Sequence, residues 1–346
     1  MRAIDFFCGA GGLTRGLGSS GIEVVAGIDA DGTCRESFEH NNRKTEFHES
    51  SIESVRGTDL WKALKSRAAS DLIFAGCAPC QPFSAQKKTK AESRSSSRDA
   101  LLLGEFARLV EECLPGFIVI ENVPGLARVK GFSTYRRFTT MLQSKGYNFV
   151  QGVIDAKDYG VPQNRRRFIL IASRRHTVSM PPKSHGISNR PHLTVRAAIE
   201  HFPAIEAGES HPIITNHQAA AISELNMLRL RSTPLDGGDR RSWPSDLILE
   251  CHKGRYEGHT DVYGRMAWDK PAPTLTGKCH SISNGRYGHP EQHRAISLRE
   301  AASLQTFPDA YRFFGNQGAV AQQIGNAVPV SLGRAIGSHL LGIESN

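Results

Sequence analysis

The sequence predicts an α/β fold: a doubly wound, mostly parallel sheet flanked by helices, with a smaller irregular second domain. Three observations carry this expectation. Over the first half, short apolar runs ending in turn residues alternate with longer segments of helical character, the pattern of a parallel sheet covered on both faces. From about Met180 the texture changes to "MPPKSHGISNRPHLT", rich in Pro, His and polar residues, and the alternation stops until "ISLREAASLQTF". With 346 residues and 39% hydrophobic content, the chain exceeds the usual single-domain size and can bury a sizeable core.

The first strand candidate, "AIDFF", runs into "CGAGGLTRGL". Gly9, Gly11 and Gly12 there allow the backbone to come close to a ligand at the strand's end. As a dinucleotide fingerprint the turn is poor, because the third glycine of G-x-G-x-x-G falls on Thr14; a tight strand-to-helix turn explains the same residues. "VVAGID" follows and ends on Asp29, about 20 residues downstream, where an acidic residue would take ribose hydroxyls or cap a helix. "DLIFAG" leads into Cys77-Ala78-Pro79-Cys80 and then the basic loop "QKKTKAESRSSSRD". "FIVIENV" presents Glu121 in "ENVPG", a carboxyl that burial could hold protonated as an acid or donor, or that simply caps the next turn. "QNRRRFILIA" sets Gln163, Arg165 and Arg167 on one face of a strand, a row suited to phosphate or planar groups and equally to a solvated edge. Ligands of such sheets bind at the carboxyl ends of the strands, so Asp29, Cys80 and Glu121 are placed to converge.

The second domain holds "STPLDGGDRRSWP", where Gly237, Gly238 and the flanking prolines mark a loop carrying Arg231, Arg240 and Arg241. The closing "QIGNAVPVSLGRAIGSHLLG" reads as a turn followed by an amphipathic helix. No internal repeat interrupts this plan.

The formal charge of +9 and a pI near 9.3 suit a partner rich in phosphate. No run approaches the roughly 18 apolar residues of a membrane helix, and "MRAIDFFCGAGG" lacks a signal peptide's pattern; a cytoplasmic protein is expected. Seven dispersed cysteines do not form a disulfide framework and read as reduced thiols. For "CAPC", a redox pair lacks its thioredoxin-like context, and a zinc site lacks a second pair of ligands, so no metal is expected. The remaining reading makes Cys80 a nucleophile after a rigid proline and Cys77 ordinary strand packing.

Each motif is only moderately specific, but their order is far more so. "DFFCGAGG", Asp29, "PCQPFS", "ENVPG", "QNRRRF", "REAASLQTFPD" and "QIGNAVP" follow one another as in the cytosine-5 DNA methyltransferase family. The sequence resembles that family from residue 1 to about 340, except over roughly 180 to 260, the family's variable target-recognition region. "VYGRMAWDKPAPTLTG" is also similar to the family's GR…P…T.T segment.

The resemblance implies a class I S-adenosylmethionine-dependent fold, with residues 1–178 as catalytic domain, 179–310 as target-recognition domain, and 311–346 returning to the first. It implies a cofactor site at Phe7, Gly9, Gly11, Gly12, Asp29, Ser51, Ile52, Pro79 and Asn326, with Phe7 stacking on adenine and Asp29 on the ribose. It makes Cys80 the nucleophile, Glu121 the contact to ring nitrogen 3 and the amine, and Arg165 and Arg167 the groups that position the base. Gln81, Ser84, Gln163, Arg240 and Arg241 would touch double-stranded DNA. The implied protein is a monomer whose cognate restriction endonuclease, if it has one, acts separately. Attack of a thiolate at carbon 6 activates cytosine's otherwise inert carbon 5, and a duplex must release the base to permit it.

Two departures from the family stand out: Ser51 replaces an acidic contact to the cofactor's adenine amine, with Glu49 nearby as a substitute, and Cys77-Ala78-Pro79-Cys80 replaces G-P-P-C or G-F-P-C. The alternatives are a transfer-RNA cytosine-5 methyltransferase of the same family, an inactive DNA-binding regulator, and a thiol-disulfide oxidoreductase.

Overall fold

The computed structural model describes residues 1–64, 69–77, 98–127, 133–253 and 261–345. It divides into two compact units: Met1–Tyr159, Arg166–Lys183 and Val328–Asn346 form the first, and Gly160–Arg165 with Ser184–Ala327 the second. The second unit therefore runs past residue 310 and also claims the short segment before the last strand.

The first unit is built from β1 (Arg2–Phe6), α1 (Gly12–Ser20), β2 (Glu23–Asp29), α2 (Arg35–Asn41), β3 (Glu46–Glu49), α3 (Gly57–Leu64), β4 (Leu72–Gly76), α4 (Arg98–Cys113), β5 (Phe117–Asn122), α5 (Ser133–Ser144), β6 (Asn148–Asp155) and β7 (Arg166–Ser173). They make a seven-stranded sheet in the order β3-β2-β1-β4-β5-β7-β6. The first five strands pair in parallel, while β7 runs antiparallel to both β5 and β6. Every residue of β4 and β5 is buried, which is why β4 and the first four residues of β5 read as apolar runs. The edge strands differ: β3 buries only Phe47, and every residue of β6 is at least partly exposed. Against one face, Phe6 meets Phe74 and Phe106 edge-on, with centroids 5.0 and 5.4 Å apart.

The second unit contains α6 (Val195–Ile199), α7 (Glu224–Arg231), α8 (Leu298–Leu304) and α9 (Gln317–Asn326). Its strand-like pairing, among the described residues, is limited to isolated bridges such as Gln163 with Ala272. Four fully buried arginines, Arg165, Arg265, Arg294 and Arg299, stand in for a ladder. Arg265 donates to the carbonyls of Leu230, Thr233, His289 and Gln292 and to the His293 ring, over 2.6–3.1 Å. Arg299 donates to Pro308, Asp309 and Tyr311 carbonyls. Burial pulls both guanidinium groups down to about 10, still charged at neutral pH. Arg294 grips both oxygens of Glu300, at 2.8 and 2.7 Å. Burial alone would raise the Glu300 carboxyl, but the Arg294 bonds outweigh it and hold it below its usual range.

The first unit is completed by α10 (Val330–Glu344), which packs on α1. A Cβ on Gly16 would lie 2.7 Å from the Gly333 Cα and from the Val330 carbonyl oxygen, and one on Gly337 would meet the Ser20 hydroxyl at 2.2 Å. The two helices touch backbone to backbone. Gly16→Ala should therefore lower stability by about 1–3 kcal/mol, despite alanine's better helix propensity, because the added methyl has no room. Denaturant unfolding of the pair of proteins checks this; an equal or raised midpoint would mean that the helices separate at no cost.

Candidate active site

At the end of β1 the backbone turns sharply. Phe7 takes φ 59°, Gly9 51° and Gly11 84°, all in the left-handed region, before α1 begins at Gly12. For Phe7 this conformation is strained, and it is held by hydrogen bonds from the Phe7 and Cys8 N–H groups to the Ile28 carbonyl. Asp29, at the end of β2, braces the turn: its Oδ2 accepts from the Gly9 N–H at 2.8 Å and its Oδ1 from the Asp31 N–H at 2.9 Å. Burial raises the Asp29 carboxyl above its ordinary value, with those N–H bonds working against it. Beside the turn lies a cleft of about 400 Å³ whose walls include Phe7, Ile28, Asp29, Ser51, Ile52 and Leu102. An aromatic face and a strand-end carboxylate on one cleft are features that suit an adenosine group.

Ser51 lines this cleft and donates to the Glu53 carboxylate at 3.0 Å. Glu49, the substitute the sequence suggested, pairs with Arg35 at 3.1 Å and is not part of the wall.

Asp5 was not singled out in the sequence. It is 1% exposed in the middle of β1, and Thr14 Oγ1 donates to its Oδ2 at 2.6 Å. Its Oδ1 is buried with no hydrogen-bond partner among the described residues. Burial pushes this carboxyl up to about 7, against the Thr14 bond and with help from the Asp29 charge. Thr14, the residue that spoils the dinucleotide fingerprint, is thus the one that holds Asp5. The only sequence signal was an acid inside an apolar strand.

A second group gathers at the ends of β4 and β5. Glu121 is 2% exposed. The Arg167 Nε lies 2.9 Å from its Oε1, paired by charge and distance although no N–H points along the oxygen's lone pair. The Cys77 thiol donates to its Oε2 at 2.8 Å. Cys77 is therefore not ordinary strand packing: it lies just past β4 with its sulfur on a buried carboxylate. Pro79, Cys80, Gln81 and Ser84, and the basic loop through residue 97, lie outside the described residues.

Gln163 and Arg165 do not share a strand face with Arg167. Strand β7 begins at Arg166, and both earlier residues are buried in the second unit. Gln163 accepts from the Leu275 N–H and donates to Leu304 and Gln305, so its amide is bonded within the unit's interior. Arg165 donates to the carbonyls of Leu275, Gly325 and Ala327. Asn326 closes α9 in the second unit and is exposed; the return to the first unit is made by α10. Arg240 and Arg241 occupy a short 3-10 turn, Arg240 against the His252 ring and Arg241 88% exposed but gripped by Asp239 at 2.6–3.1 Å. The Arg241 bonds hold the Asp239 carboxyl at about 2. The described cysteines are all free thiols, no group of metal-ligating side chains occurs among the described residues, and no described helix is long and apolar enough to cross a membrane.

Comparison with known proteins adds to this geometry. The family described as C-5 cytosine-specific DNA methylase matches residues 1–342. The chain is 42% identical to the Type II methylase M.HgiDII of Herpetosiphon aurantiacus, over 96% of this chain and 93% of that one. It is 32% identical to the Type II methyltransferase M1.HphI of Haemophilus parahaemolyticus, over 100% of this chain and 88% of that one. Among solved structures, a candidate prophage-encoded DNA modification methyltransferase from E. coli superposes with a TM-score of 0.77 at 21% identity over the whole of both chains. A DNMT2 from Spodoptera frugiperda gives 0.62 at 17%, over 100% and 99%. These two speak for the fold.

The Asp5 carboxyl carries a pH signature. Its folded value of about 7 lies above the ordinary 3.8, so the folded chain holds a proton that the unfolded chain releases. The stability it contributes is complete below about 4 and is lost as pH rises to 7. The stability difference between wild type and Asp5→Asn should fall across pH 4–7 and level off above it, read by chemical denaturation at each pH. A flat difference would place the Asp5 proton elsewhere.

Proposed function

The chain belongs to the C-5 cytosine-specific DNA methylase family, and from that membership we propose that Cys80, Glu121 and Arg167 carry its chemistry, with S-adenosylmethionine in the cleft beside β1 and β2. The protein is a DNA (cytosine-5)-methyltransferase of a family and fold that depend on S-adenosylmethionine. The observation that supports these assignments best is the buried Glu121 carboxylate, flanked by the Arg167 guanidinium and the Cys77 thiol at the carboxyl ends of the same sheet that bears the glycine-turn cleft.

The Cys80 thiolate adds to carbon 6 of the flipped cytosine, and the electron pair of the 5,6 double bond moves to carbon 5. Bound S-adenosylmethionine supplies the electrophilic methyl group there. Loss of the carbon 5 proton and expulsion of the thiolate restore the double bond. Glu121, at ring nitrogen 3 and the exocyclic amine, holds the ring while its charge changes, and Arg167 keeps that carboxylate in place. In the cleft, Phe7 stacks on adenine, Asp29 faces the ribose, and the Gly9–Gly12 turn lets the ligand approach the backbone. Ser51 takes over from the missing acid: its own proton is committed to Glu53, so the hydroxyl turns lone pairs to the adenine amine.

Arg241, exposed and oriented by Asp239, suits a base edge or phosphate of duplex DNA. The family and the relatives favour DNA over the RNA alternative. The Type II names of the relatives support a place in restriction-modification, and in this reading the enzyme acts as a monomer beside a separate cognate endonuclease.

Label from S-adenosylmethionine should enter duplex DNA, with transfer RNA a poor competitor. Its absence across a substrate holding all short sequences would refute the reading. Cys80→Ser should abolish transfer, and Glu121→Gln should slow it by about 10²-fold or more. For the cleft, Ser51→Ala should weaken S-adenosylhomocysteine about two- to tenfold by calorimetry, the worth of one hydrogen bond, while Ser51→Asp binds at least as well as wild type. Unchanged affinity in the alanine variant would remove Ser51 from the site.

A further inference from the structure

Spacing alone paired Cys77 with Cys80, but the Cys77 thiol is directed across the sheet. Strands β4 and β5 are parallel neighbours, with Gly76 beside Ile120, so the residues that follow, Cys77 and Glu121, emerge side by side. The Cys77 backbone N–H bonds to the Phe6 carbonyl at 3.3 Å, which ties its Cα to β1 and fixes where the side chain starts. From there Sγ reaches Oε2 of Glu121 at 2.8 Å, while Arg167 stands 2.9 Å from Oε1.

A carboxylate that is 2% exposed has almost no water to orient it. Its plane is set by the groups that touch it, and one on each oxygen is enough to fix that plane and the direction of the remaining lone pairs. We propose that Cys77 is a positioning residue of the methyl-transfer reaction, its thiol holding the Glu121 carboxylate in the orientation that meets ring nitrogen 3 and the amine of cytosine. The proposal rests on Glu121 contacting the base as assigned above. A thiol suits the task because it is a weak, neutral donor. It turns the carboxylate without placing a second positive charge beside Arg167, and it leaves lone pairs for the base.

Single-turnover methyl transfer and steady-state kinetics on the full-length enzyme test this. Cys77→Ala should lower kcat about three- to tenfold, as loss of one hydrogen bond does, with KM for DNA held within about twofold. Cys77→Ser, which keeps a donor, should retain at least about half of wild-type kcat. Cys77→Val, of similar size and without a donor, should behave as the alanine variant, and it covers the case in which alanine destabilises the fold. With Glu121→Asp, whose shorter carboxylate is withdrawn from the thiol, adding Cys77→Ala should change little more, because the two substitutions remove the same contact. Serine, alanine and valine variants that lose activity equally at matched melting temperatures would overturn the proposal, as would strictly additive losses with Glu121→Asp. Glu121→Gln with wild-type activity would instead refute the role of Glu121 itself, an outcome that is separate from a neutral Cys77→Ala beside an impaired Glu121→Gln.

Discussion

The first unit is organised by the point at which its strand order reverses. With β1 flanked by β2 on one side and β4 on the other, right-handed connections carry the helices that follow to opposite faces of the sheet. The ends of β1 and β4 are thereby left without a helix above them. Both groups of candidate site residues occupy this opening. On the β2 side the strained Phe7 and the glycine turn, braced by Asp29, shape a cleft. On the β5 side, Glu121 and Arg167 face one another because β7 runs antiparallel to β5 and brings its first residues to the ends of the parallel strands.

The second unit follows a different rule. Its described residues have short helices and isolated bridges, so many carbonyl oxygens would be buried without a partner. Buried arginines answer that need, each with several donors in a fixed fork. Arg265 alone satisfies four carbonyls. This changes the meaning of the chain's formal charge of +9: four of its arginines are structural and fully buried, and the charge available to a phosphate backbone resides in exposed residues such as Arg241 and Arg231.

The parts legible in the sequence were those with a local signature. β1, β2, β4, β5 and β7 announced themselves as apolar runs because both faces of each are largely covered, and the order of the motifs identified the family. β3 was silent because an edge strand needs few apolar residues, and "EFHE" buries one side chain; β6, "NFVQGVID", breaks its apolar residues with Gln151 and Gly152 and buries none of them fully. Alternation misled at Gln163 and Arg165, since period two implies one strand face only if the strand extends that far, and β7 starts one residue later. The contact between Cys77 and Glu121 spans 44 residues and exists only because two strands are adjacent; no spacing rule encodes it. Asp5 was hidden for the opposite reason, as a single polar letter within a convincing apolar run.

The close packing of α1 on α10 bears on how the protein is made. Helices α1 and α10 pack together although nearly the whole described chain separates them, so the small-residue surface around Gly16 and Ser20 stays uncovered until α10 has been made. The sheet can assemble before then, but the first unit closes only when α10 docks on α1. A chain that stops before Val330 keeps the sheet and lacks the helix that covers α1, which leaves that flank open to chaperones and proteases.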